Sequence, residues 1–142
     1  MNQVRMIYVS RMTPECDMQA IQAILDIARK KNKAMDVTGV LCYDPAFFMQ
    51  CLEGPRTAVN DLYASILRDN RHTNVLLLEY TEAQERRFAQ WSMAFVAASD
   101  LSKGLLEKYT GSGKFDPYRL TAAQALDFLL ATFRQKPDAL NR

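Results

Sequence analysis

Phe47-Phe48-Met49-Gln50-Cys51-Leu52-Glu53-Gly54 is the stretch that decides how this chain folds. It has the apolar and aromatic run of a strand buried on both faces, and an uncharged amide, Gln50, interrupts it at the centre. An interior Gln carries two N–H donors and an acceptor oxygen. Leaving such a group unpaired in the core costs about 1–3 kcal/mol, so something polar must face it there. Most buried amides are satisfied by backbone or neighbouring side chains; a ligand is the other solution.

Working outward, residues 37–43 form a strand containing Thr38-Gly39, and Asp44-Pro45 turns the chain back into 47–52, making a hairpin. Gly54-Pro55 then starts a helix. Its Val59, Leu62, Tyr63, Ile66 and Leu67 fall at i, i+3, i+4, i+7 and i+8, and it ends by Asp69-Asn70-Arg71-His72. Toward the N-terminus, residues 4–10 alternate as a strand, with Ile7 and Val9 on one face and Met6, Tyr8 and Ser10 on the other. Thr13-Pro14 signals a helix whose stripe of Met18, Ile21, Leu25 and Ala28, with Ile24 and Ile27 beside it, runs to about Asn32. Arg29, Lys30, Lys31 and Lys33 gather at its end, either as a solvated terminus complementing the helix dipole or as a phosphate site. Residues 74–80 read as a fourth strand, 82–87 as a charged loop, and about 88–96 as a fifth strand on which Trp91 and Met93 share a face.

The order βαββαββ is most simply an α+β, ferredoxin-like sheet with both helices on one face. The other face, carrying Ile7, Val9, Phe47, Met49 and alternate members of 75–78, is too apolar to leave in water. The tail supplies a cover: a short helix over 102–109, a Gly111-Ser112-Gly113 loop, and a helix opened by the capping box Thr121-Ala122-Ala123-Gln124, with Ala125, Leu126, Leu129, Leu130 and Phe133 on one side. Residues 1–97 are thus expected to form the sheet domain. Residues 98–142 are expected to form a helical extension packed on it or shared in an oligomer interface.

At 142 residues the chain suits one core without metal or disulfide support. Its 18 Lys+Arg against 16 Asp+Glu leave a net charge of +2, too small for a nucleic-acid footprint. No apolar run approaches a membrane span, and the opening residues lead into a strand rather than a signal peptide, so a cytoplasmic protein is expected. Cys16, Cys42 and Cys51 have no metal-ligand spacing, and the hairpin places Cys42 opposite about Phe47, out of register for a bridge to Cys51. Reduced thiols are expected. His72 is the only imidazole, with no nucleophile near it in sequence, which argues against hydrolytic chemistry.

Strand parity puts Tyr8 and Gln50 on the helix-facing side, within reach of Trp91 and Met93, bordered by Ile24, Ile66 and Asn32. A phenol, an amide, an indole and a thioether in an apolar slot with amides at one edge suit a flat heteroaromatic ligand. A ligand-free interaction domain, with Gln50 and Tyr8 as ordinary core groups, is the alternative. An RNA-binding sheet is disfavoured because strands one and four lack interleaved aromatic and basic residues.

In Met6-Ile7-Tyr8-Val9-Ser10, Asn32, Thr38-Gly39-Val40-Leu41-Cys42-Tyr43, Phe48-Met49-Gln50-Cys51-Leu52-Glu53-Gly54, Asp69-Asn70-Arg71-His72 and Arg87-Phe88-Ala89-Gln90-Trp91-Ser92-Met93, the sequence resembles the BLUF family, blue-light sensors using flavin. The resemblance covers about residues 1–97, and the tail is similar to that of short, stand-alone members without an enzymatic output domain. It implies a bound FAD, with FMN or riboflavin as other forms, whose ring lies between the first two helices against Ile24 and Ile66. Asn32 would bind its pyrimidine edge. Gln50 would bridge Tyr8 and the ring, Met93 or Trp91 would complete the pocket, and Arg71, with Asp69 and His72, would lie toward the ribityl or phosphate end. Lys31 departs from the Asn or His common at that position, and faces either solvent or the phosphates. The resemblance further implies that light drives an electron and a proton from Tyr8, that Gln50 is left rotated or tautomerised, and that a small reversible red shift follows. A downstream signalling protein and a homo-oligomer are the expected partners, without nucleic acid or membrane.

Overall fold

The hairpin forms where the turn signal lies. In the computed structural model, which describes residues 2–135, β2 (Thr38–Tyr43) and β3 (Phe47–Pro55) pair antiparallel with Tyr43 opposite Phe48 and Leu41 opposite Gln50. The Asp44 carboxylate closes the turn by accepting from the Ala46 and Phe47 amides, both at 2.8 Å. Cys42 lies opposite Met49, two residues from the expected Phe47, and all three cysteines are free thiols.

β1 (Gln3–Met12) lies beside the central strand β3 in a five-stranded sheet ordered β4-β1-β3-β2-β5, antiparallel to both β3 and β4 (His72–Glu82). Two helical crossovers join the sheet: α1 (Met18–Ala34) carries the chain from β1 over β3 to β2, and α2 (Arg56–Arg68) carries it from β3 over β1 to β4. This is the expected ferredoxin-like arrangement. α1 starts at Met18 rather than at Pro14 because Asp17, extended in backbone, caps it by accepting from the Ala20 amide at 2.8 Å. Residues 13–16 are a turn closed by Cys16 N–H on the Thr13 carbonyl.

The period-two alternation of β1 and β3 divides the interior into two cores. Met6, Tyr8, Leu41, Phe48 and Leu52 face α1 and α2, while Ile7, Val9, Val40, Met49 and Cys51 face the tail. α3 (Lys103–Thr110) is capped by Ser102, and α4 (Ala122–Gln135) opens on the expected capping box, Thr121 and Gln124 exchanging hydrogen bonds at 3.0 and 3.1 Å. Ala125, Phe128, Leu129 and Phe133 of α4 seal the helix-free face. Of the expected extension, residues 136–142 lie outside the described residues.

The fifth strand is shorter than expected. β5 is Ala94–Ala97, parallel to β2, and 83–93 is a loop. The loop is pinned to the sheet by Glu53, a carboxylate only 1% exposed that accepts from the Arg87 amide at 2.9 Å and the Phe88 amide at 2.8 Å, and by Gly39 N–H on the Trp91 carbonyl at 2.9 Å. These main-chain bonds replace ladder pairing, so strand alternation does not apply to Trp91 and Met93. They part to opposite sides: Trp91 packs on Phe133 of α4, ring centroids 5.9 Å apart, and Met93 enters the core under α1 and α2.

Candidate functional site

Tyr8 and Gln50 are register partners on β1 and β3, so their side chains leave the sheet together on the helix face. The Tyr8 hydroxyl donates to Gln50 Oε1 at 2.5 Å, and Gln50 Nε2 donates to Met93 Sδ at 3.5 Å. The amide thus spans a phenol and a thioether, with one N–H left over. Burial, with Asp69 and Tyr63 adding to it, pushes the Tyr8 phenol far above its ordinary pKa, so it is held neutral.

Above this pair a cavity partly open to solvent lies between α1 and α2. Ile24 and Ala28 of α1 and Leu62 and Ile66 of α2 supply apolar walls, Phe48 and Leu52 the floor, and Asn32, Gln50 and Tyr8 the polar edge. Asn32, buried near the end of α1, spends an amide hydrogen on the Ser92 carbonyl at 2.7 Å, and its Oδ1 has no partner among the described residues. At the mouth, Arg71 grips Asp69 side-on, Nε to Oδ1 at 2.9 Å and Nη2 to Oδ2 at 2.6 Å. That guanidinium holds the Asp69 carboxyl below its usual range.

His72 lines the same mouth. Its Nε2 lies 2.7 Å from the Ile66 carbonyl, which can only accept, so Nε2 carries a proton; in the neutral ring Nδ1 then accepts from Ser10 Oγ at 2.9 Å. The ring joins β1, α2 and β4. The structure therefore gathers Tyr8, Ile24, Asn32, Gln50, Ile66, Asp69, Arg71 and His72 around one cavity, with Met93 against Gln50. It does not bring Lys31 or Trp91 there. Lys31 is exposed on the outer side of α1, and Trp91 lies across the sheet against α4, for the loop reason given above.

The family model described as sensors of blue light using FAD matches residues 3–94, about two thirds of the chain. The chain belongs to the BLUF family. Among curated relatives, the photoactivated adenylate cyclase subunit beta of Euglena longa is 36% identical over 87 residues, which is 61% of this chain and 10% of that protein. The blue light- and temperature-regulated antirepressor BluF of Escherichia coli is 35% identical over 88 residues, 62% of this chain and 22% of that protein. The chain thus spans between about a tenth and somewhat over a fifth of the length of these relatives. Among solved structures, photo-activated BlsA superposes with a TM-score of 0.79 at 32% identity over 92% of this chain and 93% of that one. The BLUF protein BlrB in its dark state gives 0.75 at 30%, over 92% and 97%.

BLUF proteins bind flavin, and the residues here fit one: the cleft has the apolar walls typical of sites for flat aromatic ligands, and the polar groups sit along one edge, where a ring presents its own donors and acceptors. Two residues that hold the 83–93 loop beside this cavity, without lining it, escaped the sequence. Glu53 obeys the same logic that singled out Gln50, a polar group inside a strand buried on both faces, and could have been found by it. Arg29, read with the cations at the end of α1, instead turns inward to the Met93 carbonyl, at 3.2 Å from Nε. Among the described residues no helix is long and apolar enough to cross a membrane, and no cluster of His, Cys, Asp or Glu is placed to hold a metal.

Proposed function

We propose that this chain is a blue-light sensor that holds FAD non-covalently between α1 and α2. It passes its light state to a protein partner or through its own assembly, and has no enzymatic activity of its own. The observation that carries the reading is the Tyr8–Gln50–Met93 chain of hydrogen bonds on the cavity wall. In this reading residues 1–97 are the sensing domain and 98–142 the extension that reads it.

Ile24 and Ile66 would flank the ring, Asn32 would offer its open Oδ1 to the pyrimidine edge, and Gln50 would offer its second N–H to the ring. Arg71, engaged by Asp69 through Nε and Nη2, keeps Nη1 for a ribityl or phosphate oxygen, while His72 braces the mouth. When bound, the flavin supplies blue-light absorption and a transient acceptor for an electron and a proton. A neutral buried phenol is the suitable donor, because Tyr8 gives up its proton readily only when the electron leaves with it.

Gln50 holds the memory of the event. An amide rotated by half a turn puts N–H where its oxygen was, so the Tyr8 hydroxyl must accept rather than donate and the oxygen faces Met93. The two arrangements are nearly the same in shape, so the swap changes hydrogen bonding without repacking. Met93 leads directly into β5 and Trp91 contacts α4, which makes the 83–93 loop the exit for the signal.

The test is an absorption spectrum of the purified protein in the dark, just after blue light, and after dark recovery. Heat release of the chromophore and chromatography then separate FAD from FMN and riboflavin. A flavin band that shifts red and returns supports the reading. A protein that is colourless and stays so with added FAD overturns it in favour of a ligand-free interaction domain.

A further inference from the structure

We infer that Arg29 is a positioning residue that clamps Met93 in place under Gln50, so that its loss slows the return of the lit state to the dark one. This rests on the photoreceptor reading above for its kinetic consequence, but the clamp itself is a matter of contacts.

Met93 is held from two sides. Its sulfur receives the Gln50 amide at 3.5 Å, and its carbonyl receives Arg29 Nε at 3.2 Å. The guanidinium is itself seated: it lies over the Phe95 ring at 4.9 Å from the centroid, and Nη1 reaches Asp26 one turn back at 4.0 Å. Its side chain is 20% exposed and Nη2 is buried without a partner, so Arg29 gives up hydration to lie there. Asn32, three residues on along α1, takes the neighbouring Ser92 carbonyl. One face of α1 therefore holds consecutive carbonyls of the loop end.

This segment needs holding. β5 is four residues long, at the sheet edge, and paired only with β2, beginning at Ala94 opposite Val40. Met93 is the residue before that pairing starts. When the Gln50 amide turns, its oxygen faces the sulfur and the side-chain anchor is lost. Arg29 and Asn32 then remain to keep Met93 where the amide can find it again. Without Arg29 the residue drifts with the frayed end of β5, and recovery must wait for its recapture.

The test compares Arg29→Met, which keeps the stem over Phe95 and helix propensity but removes the donors, with Arg29→Lys, which keeps a charged donor. Two readouts are taken on the purified full chain: dark recovery of the red shift, and amide hydrogen exchange of Ala94–Ala97 in the dark. We expect Arg29→Met to bind flavin and show the full shift, to recover roughly 3- to 10-fold more slowly, and to exchange faster by a similar factor in β5 only, with Arg29→Lys in between. Unchanged exchange and recovery in Arg29→Met overturn the clamp. Faster exchange with unchanged recovery overturns its role in the photocycle. Absence of any red shift in the unsubstituted protein overturns the photoreceptor reading instead, while the exchange data still decide whether Arg29 holds β5.

Discussion

The Tyr8 hydroxyl meets Gln50 Oε1 at 2.5 Å because β1 and β3 place the two residues directly opposite each other. No loop or helix has to move to bring them together, so the pair can be broken by substitution without disturbing the sheet. Tyr8→Phe leaves one amide oxygen unpaired at a cost of about 1 kcal/mol, and Gln50→Leu is close in volume. Both variants should fold and bind flavin, and both should lose more than about nine-tenths of the light-induced red shift, since an amide without the phenol, or the phenol without the amide, has no second arrangement to adopt. A full shift in either one would sink the mechanism.

Gly39 sets how closely β2 can approach β3. A Cβ there would lie 2.3 Å from the Cys51 carbonyl oxygen, a backbone atom that cannot turn aside, and Gly39 also anchors the Trp91 carbonyl. Gly39→Ala should lower stability by at least about 2 kcal/mol through a forced shift of the hairpin. Urea unfolding measures this; an unchanged midpoint would mean that β2 has slack the structure does not show.

The inner strands β1, β2 and β3 are readable from sequence because they are buried on both faces and alternate in register, so Gln50 stands out against an apolar run. Ile24 and Ile66 follow from helical period, and Asn32 from its place at the end of the first helix. The place of Trp91 does not follow from any period, because the chain between β4 and β5 is ordered by two amides on Glu53 rather than by a ladder, and no periodicity records such a bond. The same holds for Arg29. A guanidinium at a helix end is usually solvated, and only the tertiary position of Phe95 and the Met93 carbonyl turns this one inward. The cap at Asp17 was likewise hidden behind the stronger Pro14 signal.

The thiols differ sharply in setting. Burial pushes Cys42 and Cys51 well above the ordinary thiol pKa, Glu53 adding to the effect at Cys51, while Cys16 is only partly buried and only moderately raised. Because the thiolate is the reactive form, a thiol reagent at pH 8 should titrate one cysteine in the native protein, slowly, and three after denaturation. Rapid native reaction of two or more would show that the strands open on the timescale of the assay.

Trp91 offers an optical window on signal exit, because it is the chain's only tryptophan and it rests on Phe133. Cutting the chain after Val96 is a poor test of the tail, since it uncovers Ile7, Val9, Met49 and Phe88 together, and we expect the truncated protein to aggregate rather than to photocycle. Phe133→Leu is the sharper change. It keeps the face covered, should cost only about 1 kcal/mol or a little more, and removes the aromatic contact. If the loop end carries the signal to α4, blue light should change Trp91 fluorescence in the unsubstituted chain, and Phe133→Leu should reduce any light-dependent change in assembly or partner binding while leaving the flavin red shift intact. Loss of the red shift itself would instead make the Trp91–Phe133 contact part of the chromophore pocket's support. An unaltered output would move the exit to another surface of β5.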